Sequence, residues 1–333
     1  METAAGSETG SGALRCRVIT PARPVPGLAA DARRGLLHRP RSLPPKYFYD
    51  ERGSRLFDAI CHTPEYYPTR IEDELLRRHA VDIIKLARPS HILELGSGTS
   101  RKTRHLLGAC EHAPHTPDYW PFDVCEEMLL DAGAHLSERY AWLTVNPLLG
   151  DYSGGFRYLP KLDGSRLFVF LGGTIGNFTP AEAVDLLREL RAIMTPADRL
   201  LLGVDRVKDP AVLRAAYNDA QGITAEFNRN VLHVLNRELD ADFAVAAFRH
   251  EAVYHEDHQR MEMYLVATAP QRVRIGKLEC RIDLEREERI LTEISCKFTP
   301  ASLGALLEAA GLDTEGHFEP SDGYFSLVLA RPG

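Results

Sequence analysis

The chain has 333 residues, 44% of them hydrophobic and 26% charged, with a formal net charge of −7. That is an ordinary globular composition over a length that suits one large domain or two modest ones. The acidic balance speaks against nucleic-acid and anionic-membrane partners, and no run of 18 apolar residues marks a transmembrane helix.

Residues 1–42 are rich in Gly, Ala, Pro and Arg and hold no apolar core of signal-peptide length, so they read as a loosely ordered tail. Pro21, Pro24 and Pro26 interrupt any amphipathic helix there. From about residue 69 the pattern changes. Leu75, Leu76, Ala80, Ile83 and Ile84 stand near helical spacing and predict a helix over 71–86. The spacing then predicts a buried strand over 91–95, a helix over 102–110, a strand over 119–123 and a helix over 126–137. Strands over 141–145 and 166–171 follow, then a helix over 180–194 with Thr179 as its N-cap, and a strand over 199–204. Such alternation implies a doubly wound α/β sheet.

The alternation stops near Asp209. One or two helices over 211–239 precede alternating segments around 243–254, 259–268 and 290–298 that look antiparallel. A helix over 301–310 and a strand over 324–330 come last. The expected organisation is a nucleotide-type domain from 43–205 and 298–333, its N-terminal part helping to form a substrate pocket. An inserted α+β substrate-binding domain spans 206–297.

The stretch His-Ile-Leu-Glu-Leu-Gly-Ser-Gly-Thr-Ser at 91–100 is a buried strand feeding a glycine turn that opens a helix. Such a turn brings backbone N–H groups close to a nucleotide-like ligand. A dinucleotide fingerprint needs a third glycine, but Arg101 stands there. S-adenosylmethionine (SAM) has no phosphate and tolerates a looser turn, and Glu94 suits a cationic sulfonium better than a pyrophosphate.

Ligands of open α/β sheets bind beyond the carboxyl ends of the strands, and four further polar positions fall there. Asp123 can accept the two ribose hydroxyls, Asp151 an adenine amino group, and Tyr152 can pack on the ring. Asn177 follows the next strand in a glycine-rich loop. Plain structural readings stand beside these: Asp123 as a helix cap, Asp151 as a turn residue, Asn177 as a left-handed residue, and Lys102, just after the glycine turn, as a solvated charge. Four polar residues at three successive strand ends favour an adenosyl cofactor. Six scattered cysteines without C-x-x-C spacing, and histidines without an H-E-x-x-H cluster, indicate no metal and a reduced, cytoplasmic setting.

Several separate stretches then point further: Pro-Lys-Tyr-Phe-Tyr-Asp-Glu-Arg-Gly-Ser-Arg-Leu-Phe at 45–57, Thr-Pro-Glu-Tyr-Tyr-Pro-Thr-Arg at 63–70, the glycine loop at 95–103, Gly-Gly-Thr-Ile-Gly-Asn-Phe at 172–178 and Leu-Thr-Glu-Ile-Ser-Cys-Lys-Phe at 291–298. Together they resemble the histidine-specific, SAM-dependent N-α-methyltransferases of ergothioneine biosynthesis, from about Leu43 onward. The resemblance implies a Rossmann-like class I SAM-dependent methyltransferase sheet. It implies Gly96, Lys102, Asp123, Asp151 and Tyr152 on the cofactor side, and Tyr66, Asn177, Tyr217, Met263, Glu293 and Ser295 on the substrate side. Asn177 and Tyr49 are the implied catalytic pair. The implied reaction is three methylations of the α-amino group of L-histidine, giving hercynine, by a monomer.

The residue types suit that substrate. Tyrosine hydroxyls can hold a carboxylate, and the Asn177 carbonyl can hold an amine. Glu293 can accept an imidazole N–H while Ser295 meets the other nitrogen. Two apart on a strand, they face the same side. A methyltransferase for another amino acid or amine remains the nearest alternative, and an indole or aliphatic substrate would not need that polar pair. A SAM-binding regulator and a dehydrogenase are the other readings.

Overall fold

Residues 8–9, 14–111 and 116–333 are described by a computed structural model of the chain. The strands β1 (Glu8–Thr9) and β2 (Cys16–Val18) precede helix α1 (Leu28–Leu36) and the short strand β3 (Arg41–Ser42). Helices α2 (Glu51–Cys61) and α3 (Tyr67–Ala87) follow. Strands and helices then alternate: β4 (His91–Leu95), α4 (Arg104–Cys110), β5 (Asp118–Asp123), α5 (Glu126–Arg139), β6 (Leu148–Leu149), β7 (Arg166–Phe170), α6 (Pro180–Ala192) and β8 (Arg199–Asp205). Beyond them lie α7 (Pro210–Ala216), α8 (Ile223–Leu239), β9 (Phe248–His255), β10 (Arg260–Ala267), β11 (Gln271–Ile275), β12 (Cys280–Leu284) and β13 (Arg289–Cys296). The last elements are α9 (Pro300–Ala309), β14 (Leu312–Phe318) and β15 (Phe325–Pro332).

Local chemistry accounts for the element ends. Thr179 caps α6 in a reciprocal capping box with Glu182, with Pro180 in the first turn, and Thr299 with Ser302 does the same for α9. The run Arg-Leu-Phe-Val-Phe of β7 is buried throughout, as expected of a strand covered on both faces.

The main sheet has the order β1-β2-β6-β5-β4-β7-β8-β15-β14. From β2 to β8 the neighbours run parallel, and β15 returns antiparallel between β8 and β14. The order reverses at β4, which lies between β5 and β7, so the turn after β4 opens at the topological switch point where open α/β sheets take ligands. This is the expected α/β class. A second sheet, β3-β13-β10-β9, and a β11–β12 hairpin form a separate layer. Met263 pairs with Glu293 and Met261 with Ser295, so these four side chains share one face.

Two expectations need correction. Residues 14–42 are no loose tail: β2 pairs with β6, and α1 buries Ala32 and Leu36 completely. The three prolines lie ahead of α1, where they do not break it. Residues 1–7 and 10–13 of the expected tail lie outside the described residues. The strand expected over 141–145 reduces to one bridge, Val145 to Tyr119, and pairing resumes only after Pro147, which has no N–H to donate. Leu36, Phe48, Ile60 and Tyr67 pack in one core with Leu213, Phe227, Val231 and Met261, so the second layer draws on residues well ahead of 206. Helix α2, the β11–β12 hairpin and β14 were not anticipated. Strand β14 lacks apolar alternation and carries a bulge between Thr314 and Gly316.

Candidate active site

A cavity of about 710 Å³ opens beyond the carboxyl ends of β4, β5 and β7, under the second sheet. All twelve expected site residues line it: Tyr49, Tyr66, Gly96, Lys102, Asp123, Asp151, Tyr152, Asn177, Tyr217, Met263, Glu293 and Ser295.

At one end the β4 turn sets the geometry. Gly96 and Gly98 adopt φ of +67° and +49°, a region that side-chain-bearing residues rarely occupy. The turn is latched to β5: Gly96 N–H donates to the Phe122 carbonyl at 2.8 Å, and Gly98 N–H donates to Asp123 Oδ2 at 2.9 Å. Asp123 Oδ1 accepts from Cys125 N–H at 3.1 Å, so the carboxylate also serves the start of α5. Burial raises the Asp123 pKa above the usual carboxylate value, against the pull of these N–H groups. Asp151 Oδ1 accepts from Ser153 N–H at 2.8 Å, and its other oxygen lies 3.6 Å from Lys46 Nζ. The turn-residue reading of Asp151 is thus correct as far as it goes. The Tyr152 ring packs near Phe170 and Phe178, with centroids 5.7 and 6.2 Å away, and a Cβ added at Gly96 would meet it at 3.7 Å.

Glu94 lines the same cavity. Its carboxylate accepts from Thr103 Oγ1 at 2.6 Å and from the Tyr119 hydroxyl, so it braces the glycine turn from beneath. Burial pushes its pKa up to about 7. Lys102 is no solvated charge: it pairs with Glu72, a fully buried carboxylate on α3 that also accepts from Gly172 N–H.

At the other end stand Tyr49, Tyr66, Asn177, Tyr217, Glu293 and Ser295. Asn177 closes a 3₁₀ turn over Thr174–Asn177, which starts at left-handed Gly173. Its amide makes no hydrogen bond with the described residues. The Tyr49 and Tyr66 phenols are pushed well above their ordinary pKa by burial first, then by Glu293 at Tyr49 and by Tyr217 at Tyr66, so both stay protonated. Glu293 has no hydrogen-bond partner among the described residues, and burial pushes its pKa up to about 7 against the pull of Lys297.

Sequence reasoning missed a buried polar cluster behind this wall. Lys297 Nζ donates to Ser295 Oγ at 2.8 Å, to the Tyr217 hydroxyl at 2.9 Å, and lies 2.8 Å from Asp205 Oδ2. Asp205 also accepts from Lys208 at 2.5 Å and from the Tyr67 hydroxyl at 2.8 Å. Burial works against the Lys297 charge, but Asp205 outweighs it and holds its pKa above the usual lysine value. Two signals could have found this cluster. Lys297 stands two residues beyond Ser295, and Asp205 ends the next strand of the main sheet.

The arrangement fits an adenosyl group with a small amino acid. Carboxylates at Asp123 and Asp151 and an aromatic slab at Tyr152 suit ribose, amine and base. No phosphate-holding third glycine is present at Arg101. Among the described residues no cluster of His, Cys, Asp or Glu is arranged to hold a metal ion, and no helix is long and apolar enough to cross a membrane.

Comparison with known proteins agrees with this geometry. Residues 28–332 match the model of the SAM-dependent histidine-specific methyltransferases. A histidine N-α-methyltransferase of Mycobacterium tuberculosis is 47% identical over 91% of this chain and 94% of its own length, and one of Mycolicibacterium smegmatis is 46% identical with the same coverage. An L-tryptophan methyltransferase of Psilocybe serbica is 28% identical over 92% of this chain and 93% of its own. The chain therefore belongs to the family of SAM-dependent, histidine-specific methyltransferases.

Proposed function

We propose that the protein transfers methyl groups from S-adenosylmethionine to the α-amino group of L-histidine, three times in succession, to give hercynine. The observation that carries the histidine assignment is Glu293, a carboxylate without a hydrogen-bond partner among the described residues, on the same face as Ser295 in the cavity wall. An imidazole offers a ring N–H to one and a ring nitrogen to the other.

The cofactor supplies an electrophilic methyl group on a sulfonium. The protein's part is to hold the amine neutral and aligned, since orientation contributes much of the acceleration in such a displacement. A free amino acid's amine, beside its own carboxylate, is more basic than a peptide N-terminus at about 7.7–8.0, so the bound ammonium must lose its proton before the lone pair can attack. In this reading Asn177 accepts an amine N–H through its carbonyl and aims the lone pair. Tyr49 stays protonated, which suits it to guide the amine by hydrogen bonding and not to act as the base. Tyr66 and Tyr217 face the carboxylate, although Tyr217 already gives its proton to Ser295 at 2.8 Å. Each methylation releases one proton. The trimethylated product has no N–H left, so it loses its hold on Asn177.

Asp123 and Asp151 would take the ribose and adenine, Tyr152 the face of the base, and Lys102 with Gly96 the amino-acid end of the cofactor. The domain assignment follows from the same reading: 43–205 with 298–333 for the cofactor, and 206–297 for the substrate, with help from the N-terminal segment. A monomer is the proposed working unit. Six free cysteines support a reducing compartment, the cytoplasm.

The test is to incubate the protein with SAM and each of the twenty amino acids and to follow mass. Three added methyls on histidine alone are expected. Methylation of tryptophan in place of histidine would favour the relative from Psilocybe as the better guide. In addition, Glu293→Ala should weaken histidine binding while SAM binding persists; equal loss of both contradicts the assigned role.

A further inference from the structure

Lys297 is a fully used donor. An ammonium has three N–H bonds, and here they meet Asp205 Oδ2, the Tyr217 hydroxyl and Ser295 Oγ, all between 2.8 and 2.9 Å. The lysine is buried, as are Tyr217 and Ser295. Ser295 Oγ receives a second hydrogen bond, from the Tyr217 hydroxyl at 2.8 Å. That direction follows from acidity: a phenol is the better donor and an aliphatic hydroxyl the better acceptor. A hydroxyl oxygen has two lone pairs, and both are then occupied. Ser295 keeps one unused valence, its own proton, and it lines the cavity.

We propose that Lys297 is a positioning residue that turns Ser295 into a donor-only group, so that the pocket accepts the histidine ring as a neutral imidazole in one tautomer. The inference rests on the reading that Glu293 and Ser295 meet the two ring nitrogens. Glu293 takes the ring N–H, and Ser295 requires a bare nitrogen. A second ring N–H would face the Ser295 proton with no acceptor to receive it.

Two charges compete over the ring. Glu293 alone would favour an imidazolium, because a carboxylate stabilises a neighbouring cation. Lys297 acts against it, with a fixed positive charge one hydroxyl behind the other nitrogen. The remaining charged groups of the cluster are Asp205 and Lys208, and Tyr67 bonds to both. One carboxylate shared by two lysines leaves the cluster no net negative charge to offer an imidazolium. Selecting the neutral ring would let the pocket exclude the protonated half of a histidine pool near pH 6.5, where free imidazole is about half charged.

The first test needs no variant. Histidine labelled with ¹⁵N in the ring is bound to the protein with S-adenosylhomocysteine at about pH 6, and its nitrogen resonances are recorded. One pyrrole-like and one pyridine-like signal are expected. Two pyrrole-like signals, or two averaged ones, overturn the proposal.

The second test uses Lys297→Met, with SAM binding by calorimetry to report an intact fold. The competing substrates are the two β-pyrrolylalanines, each of which keeps one ring N–H and lacks the acceptor nitrogen. The unaltered protein should prefer histidine by about 100-fold or more in kcat/KM, as sites with buried hydrogen-bonding groups do. In Lys297→Met that preference should narrow to about tenfold, because Ser295 and Tyr217 can then satisfy one another. A purely architectural lysine would weaken all three substrates alike and leave the ratio unchanged, which overturns the proposal. If the unaltered protein does not separate histidine from the pyrroles, it is the underlying assignment of Glu293 and Ser295 that fails.

Discussion

The carboxylate of Glu72, on α3, accepts the Gly172 backbone N–H through both of its oxygens, at 2.8 and 2.9 Å, and carries Lys102 as its ion-pair partner. One buried side chain thus ties the helix before β4 to the loop after β7 and to the glycine turn. None of these links is close in sequence.

Glu72→Ala leaves an N–H without its acceptor and a half-buried lysine without its counter-charge. Breaking a buried pair by removing one partner typically costs about 3–5 kcal/mol. Urea denaturation should show a loss of that order, and calorimetry a drop in SAM affinity. Unchanged stability would mean that Lys102 and Gly172 find other partners.

Gly176 permits the close approach of the Asn177 turn to β13. A Cβ there would lie 2.7 Å from the Cys296 carbonyl oxygen and 3.4 Å from Ser295 Oγ. Backbone cannot yield as a side chain does, so Gly176→Ala should push Asn177 away from the substrate wall. The expected result is a kcat for histidine lowered by about 100-fold, the scale seen when reacting groups are misplaced by about 1 Å. SAM affinity should hold, because the cofactor turn is built elsewhere.

The Tyr152 hydroxyl makes no hydrogen bond with the described residues, and the ring does the packing. Tyr152→Phe should therefore change the SAM dissociation constant by less than about threefold. Tyr152→Ala removes the aromatic face, a contact of about 0.5–1.5 kcal/mol beyond area burial, and should weaken SAM by about tenfold. A large effect from the phenylalanine would point to a hydroxyl role.

Glu293 makes the empty site pH-sensitive. Its pKa is about 7 in the fold, against about 4.3 for an ordinary glutamate. Between those values the folded chain binds more protons than the unfolded one, so this group lowers stability as pH rises, with the full cost present above about 7. Glu293→Gln removes that cost. In denaturation without ligands the variant should be more stable than the parent by about 3 kcal/mol at pH 8, by about 1 kcal/mol near pH 5, and nearly equal to it below about pH 4. An equal gap at all of these pH values would show that the carboxylate does not pay a burial cost of this kind.

Much of the cofactor half was legible in the chain. Buried strands, the glycine turn and the cap at Thr179 depend on neighbours within a few residues, and local patterns report local preferences. The polar residues at strand ends could be read for the same reason: a parallel sheet puts successive strand ends on one edge, so Asp123, Asp151 and Asn177 meet whatever lies between them. Glu293 and Ser295 needed only the two-residue period of a strand.

Tertiary structure decided the rest. Nothing local marks residues 14–42 as ordered, because β2 gains its partners from β6 and α1 gains its core from the second layer. Glu72 looks like any polar position on a helix until packing buries it against Gly172. The same holds for Lys297 and Asp205, which are 92 residues apart and become one cluster only when the segment after β13 pairs with the end of β8. A charge reads as solvated in sequence, and only long-range burial makes pairing obligatory.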